Sequence, residues 1–82
     1  MRPSPRRVAA RYASQAYKVD VDAVARESGH VEDYMALLHL ILFKGHGLVQ
    51  VVDRGAGSAM IVPYTEPEFA SVYVPYDALL PQ

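Results

Sequence analysis

Val31-Glu32-Asp33-Tyr34-Met35-Ala36-Leu37-Leu38-His39-Leu40-Ile41-Leu42-Phe43-Lys44, closed by Gly45, is the stretch that decides the fold. Its length and unbroken apolar content predict a helix rather than a strand. Glu32 and Asp33 occupy the first turn and Lys44 the last, which suits the helix dipole at both ends, and Gly45 terminates it. Val31, Tyr34, Met35, Leu37, Leu38, Leu40, Ile41, Leu42 and Phe43 are apolar; only Glu32, Ala36 and His39 form a narrow polar strip. A helix with so little polar surface must be buried on most sides. In a chain of 82 residues, two short helices and a small sheet leave part of it uncovered, so the stretch predicts a self-association or partner surface. The competing expectation is a well-packed monomer whose pieces cover one another.

Upstream, Ser4-Pro5 reads as a helix start, with serine as cap and proline in the first turn. A first helix is expected over 5–17. At about 100° per residue, Val8, Ala9, Tyr12, Ala13, Ala16 and Tyr17 share one face, and Arg7, Arg11, Ser14 and Lys18 the other. A second, short helix is capped by Asp20 or Asp22 and stopped by Gly29, with Val21, Val24, Ala25 and Ser28 inward and Gly29-His30 as the turn.

Downstream of Gly45-His46-Gly47 the pattern turns to strand. Residues 48–53 and 58–64 read as a hairpin around Arg54-Gly55-Ala56-Gly57, and 69–74 as a third strand. Val62-Pro63-Tyr64 and Val74-Pro75-Tyr76 repeat one pattern; proline cannot donate to a ladder, so both mark strand ends or sheet edges. The expected fold is α+β in a single domain over 1–82: three helices, then a small antiparallel hairpin or three-stranded sheet. Residues 1–18 form a basic arm and 77–82 an apolar tail that packs back or docks elsewhere.

With no cysteine, disulfides and thiolate metal sites are excluded. The longest apolar run, 34–43, is too short to span a bilayer, and the basic N-terminus lacks the apolar core of a secretory signal. A soluble, intracellular protein is expected. The net charge of −1 conceals an asymmetry: residues 1–18 hold five bases and no acid, and 19–82 hold three bases against nine acids. Such an arm suits nucleic acid or an acidic protein surface, or folds onto its own acidic body.

Gly47-Leu48-Val49-Gln50-Val51-Val52-Asp53-Arg54-Gly55 followed by Ser58-Ala59-Met60-Ile61-Val62, with the helix order before it, resembles the winged-helix family over residues 5–64. That resemblance implies a recognition helix at 31–44 and Arg54 at a wing tip. The residues argue against base reading, because Glu32 and Asp33 repel phosphate and Leu, Ile and Met fill the middle of the helix. Ser4-Pro5-Arg6-Arg7-Val8-Ala9-Ala10-Arg11-Tyr12 is similar to N-terminal helices of small bacteriophage-encoded proteins, which implies a cytoplasmic protein or a component of an assembled virion.

Catalytic patterns are lacking. His39 and His46 miss the i, i+4 spacing of helical zinc ligands, Ser58 follows a hairpin loop rather than a nucleophile elbow, and the Glu66/Glu68 and Asp20/Asp22 pairs suit turns and caps. No enzyme activity, metal or cofactor is expected. The expected function is non-catalytic protein binding or assembly through Tyr34, Leu37, Leu38, Ile41, Leu79 and Leu80. Arg2, Arg6, Arg7, Arg11, Lys18 and Arg54 would meet an acidic partner or nucleic acid. The alternative is a winged-helix DNA-binding regulator.

Overall fold

Local chemistry sets the two helices as expected. In the computed structural model, which describes residues 15–29 and 31–82, α1 spans Val21–Ser28. The Asp20 carboxylate accepts from the Ala23 N–H at 3.2 Å, and Gly29 closes the helix in the left-handed region at φ 70°. Ala23 joins Val24 and Ala25 in the buried face, whereas Val21 and Ser28 are only half-buried. Helix α2 spans Glu32–Lys44, and its last turn runs into Gly45-His46-Gly47. The Gly47 N–H donates to the Leu42 carbonyl at 2.7 Å. Gly45 is required by space: a Cβ there would lie 2.0 Å from the Leu48 oxygen and 2.9 Å from the Tyr64 nitrogen.

The described residues form two helices and a five-stranded antiparallel sheet, so the class is α+β, with five strands where a hairpin or three strands were expected. The strands are β1 (Tyr17–Val19), β2 (Val49–Arg54), β3 (Ser58–Pro63), β4 (Val72–Pro75) and β5 (Leu79–Pro81), in the order β4-β3-β2-β1-β5. Of the expected first helix, residues 5–14 lie outside the described residues, as does His30 of the expected turn. Tyr17 opens a strand instead. Tyr17 and Val19 pack inward and Lys18 points out, an alternation suited to a sheet. The tail expected at 77–82 becomes a 3₁₀ turn (Tyr76–Ala78) and β5, which pairs with β1 in the register Tyr17↔Pro81, Lys18↔Leu80, Val19↔Leu79. The third strand starts at Val72 rather than at 69, because Phe69 closes a turn, its N–H donating to the Glu66 carbonyl at 3.0 Å. Pro63 and Pro75 do end their strands.

The strand order forces curvature. β4 and β5 are the two edges, about 19 Å apart in a flat sheet of five strands. The connecting 3₁₀ turn, Tyr76–Ala78, advances only about 2 Å per residue. The sheet therefore curls, drawing its edges together. Between Val51 and Asp53 the β2–β3 register shifts, a bulge at Val52 that bends β2 between its two neighbours. Val49, Ile61, Val72 and Val74 line the inside, closed by Ala23 and Val24 of α1, Leu38 and Ile41 of α2, and Ala78. α1 lies on the 3₁₀ turn and β4, α2 on β3 and β4. The hydroxyl of Tyr34 on α2 donates to the Tyr73 carbonyl of β4.

Gly45→Ala is expected to cost about 3 kcal/mol or more from backbone overlap, and Ile41→Ala about 2–5 kcal/mol from the cavity left behind, both read by urea unfolding. Burial raises the Tyr34 phenol above its ordinary value near 10. The hydrogen bond to Asp53 raises the Tyr73 phenol, with burial and the Asp53 charge adding to it. In both cases the fold favours the neutral phenol. Their contribution is complete below pH 10 and is lost as the pH rises through the folded values. Unfolding midpoints should fall in that alkaline range, and Tyr34→Phe should reduce the fall.

Candidate protein-docking surface

α2 divides its side chains three ways. Leu38 and Ile41 are 0% exposed and belong to the core. Tyr34, Met35, Leu37 and Leu42 are half-buried along its flanks. Facing outward are Glu32, Ala36 and His39, the expected polar strip, joined by Leu40 at 50% and Phe43 at 75% exposure. Phe43 follows Ala36 by seven residues and His39 by four, which sets all three on one line of the helix. The uncovered apolar surface is thus real, but it lies on Leu40 and Phe43. Leu38 and Ile41, expected at an interface, are enclosed by their own chain, since the concave sheet needs large apolar side chains to fill it.

The exposed end of α2 continues into a shallow, open depression lined by Leu42, Phe43, Lys44, His46, Gly47 and Glu66. A second depression, lined by Thr65, Glu66, Pro67, Glu68 and Phe69, adjoins it at Glu66. The β3–β4 loop is tied to the helix end at three points. The Thr65 hydroxyl donates to the Lys44 carbonyl at 2.5 Å. The Lys44 ammonium lies 3.8 Å from the Glu66 carboxylate and 5.3 Å from the centre of the Phe69 ring. Both ion-pair partners are well solvated, so the pair contributes about 0–1 kcal/mol, and the ring contact about 0.5–1 kcal/mol. His46 sits beside Phe43 with φ at 54°, an uncommon backbone state outside glycine, in a turn closed by its own N–H donating to the Phe43 carbonyl at 3.1 Å and the Gly47 N–H to the Leu42 carbonyl. The result is a surface with two accessible phenylalanines, Phe43 and Phe69, edged by one cation and two carboxylates.

The other sequence-derived residues are scattered. Leu79 packs half-buried against the core and Leu80 is 46% exposed on the opposite face of β5. Lys18 is exposed in register with Leu80. Arg54 is exposed at the far end of β2, its guanidinium 5.9 Å from the Tyr76 ring centre. There the Tyr76 hydroxyl donates to the Gly55 carbonyl at 2.7 Å and the Tyr73 hydroxyl to Asp53 at 3.1 Å, which pins the hairpin. Tyr17 pairs with Val49, and Arg54 stands five residues further along β2, about 15 Å away, so Lys18 and Arg54 form no single basic patch. Arg2, Arg6, Arg7 and Arg11 lie outside the described residues. Among the described residues no three His, Asp or Glu side chains gather as metal ligands, and no helix is long and apolar enough to cross a membrane.

Sequence reasoning missed Phe43 and Phe69 as surface residues. For Phe43 the signal was its phase with Ala36 and His39; for Phe69 there was none, because its place depends on Lys44 across the loop. Because the Leu40 and Phe43 side chains lie outside the core, Leu40→Ser and Phe43→Ser should each change unfolding free energy by no more than about 0.5 kcal/mol in urea titrations. Comparison with known protein families, curated proteins and solved structures gave no match.

Proposed function

We propose that this chain is a non-catalytic protein-binding or assembly module, a small accessory or structural protein of the phage type. The observation that supports the reading is the exposed Leu40–Phe43 line of α2 running into the Phe69 loop. A small domain with a complete core of its own gains nothing in folding by leaving two phenylalanines and a leucine in water. Aromatic side chains rimmed by charges are what the centre and border of protein interfaces are made of. The depressions beside them are shallow and open, which suits a side chain or peptide segment better than an enclosed small molecule.

The acidic first turn of α2, with Glu32 and Asp33 exposed, supports protein over duplex DNA as the partner of this face. The test is light scattering on the full chain after size exclusion, alone and with protein captured from its native source, beside the Leu40→Ser/Phe43→Ser double variant. The expected result is a wild-type complex, with itself or another protein, that the folded variant loses. A wild-type chain that runs as a bare monomer and captures nothing, or a complex indifferent to both substitutions, would overturn the reading.

A further inference from the structure

We propose that the occupant of this surface is the basic segment, residues 1–14, of a second copy of the chain. The inference rests on the protein-docking reading and names its partner.

Charge is the first argument. Residues 1–14 carry Arg2, Arg6, Arg7 and Arg11 and no acid, and residues 15–82 carry four bases against nine acids. Among the described residues the one ion pair is Lys44–Glu66. Glu68, exposed in the adjoining depression, has no cationic partner among the described residues. The body therefore carries an excess of acids over bases, and the segment carries the complementary charge. Side-chain chemistry matches as well. Val8 and Tyr12 stand four apart in the sequence, each one residue after Arg7 and Arg11. The surface offers apolar Phe43 and Phe69 beside Glu66 and Glu68.

Chain direction argues for a second copy. β1 and β2 are antiparallel with Tyr17 opposite Val49, so Ala16 and Gln15, just before Tyr17, run alongside β2 toward its Arg54 end. The depression lies at the other end, before β2 begins at Val49 and after β3 stops at Pro63. Gln15 and Ala16 therefore head away from their own copy's depression. A neighbour's depression can be met without reversing that heading. Because the segment and the depression are unlike surfaces, the contact is heterologous, and its repetition gives a ring or an open row of copies.

Light scattering on full-length chains tests this at low and high salt, with an arm variant (Arg6→Gln/Arg7→Gln/Arg11→Gln) and a surface variant (Phe43→Ser/Glu68→Gln). Wild type should exceed the mass of one chain at low salt and fall to it at high salt. Each variant alone should stay at one chain. An equimolar mixture of the two should form a pair and stop, since the mixture holds only one intact arm and one intact surface per couple. Wild type at one chain under all conditions, or an assembly unaffected by the arm variant, overturns the inference. If wild type stays single but another protein still binds in a Phe43-dependent way, the inference fails while the docking reading stands. Monomers whose arginines instead hold duplex DNA also overturn it.

Discussion

Three residues, Tyr76–Ala78, have to join the two edges of a five-stranded sheet, and most of the architecture follows from that shortage of chain. The sheet curls because the connection cannot span its flat width. The concave side then needs filling, which draws Val24, Leu38 and Ile41 inward and fixes α1 over the 3₁₀ turn and β4 and α2 over β3 and β4. Once α2 gives one side to that hollow, its opposite side has nothing among the described residues to lie against. The exposure of Leu40 and Phe43 is thus a geometric result of the fold: one helix, apolar nearly all round, was given only one surface to cover.

The parts of this fold that obey local rules were legible in the sequence. Asp20 and Gly29 mark helix ends through capping and backbone freedom that belong to single residues, and Gly45 marks the next through the close approach of Leu48 and Tyr64 main chain. The glycine-rich turn and the alternation around it disclose the β2–β3 hairpin. What escaped depends on residues far apart in the chain. β1 and β5 are three residues each, and they exist as strands because Tyr17 meets Pro81 and Val19 meets Leu79. No window of sequence contains both partners. Tyr17 also fits the helical spacing of the residues before it, so periodicity alone could not choose. On α2 the amount of apolar surface was read correctly but its direction was not, since Leu38 and Ile41 look no different from Leu40 and Phe43 until the hollow they fill is known.

The candidate surface joins rigid and adaptable parts. Its floor is set by main chain, with Gly45 against Leu48 and Tyr64 and the Thr65 hydroxyl on the Lys44 carbonyl. Its rim is a lysine shared between a carboxylate and a ring, both accessible to water. Lys44 read in the sequence only as a helix-end cation; its two partners come from a loop more than twenty residues later. An arriving side chain can compete for that lysine or for Glu66 without disturbing the core, which leaves recognition separable from folding.

The hydroxyl of Tyr34 on the Tyr73 carbonyl has a consequence for how copies can and cannot grow together. A border strand ordinarily offers a row of free main-chain groups on which foreign strands can zip. On β4 one acceptor is already engaged by Tyr34, and Pro75 supplies no donor; on β5, Pro81 supplies none either. Both borders are poor templates for amyloid-like extension. A contact made at either border would have to rest on side-chain fit rather than on a continued ladder.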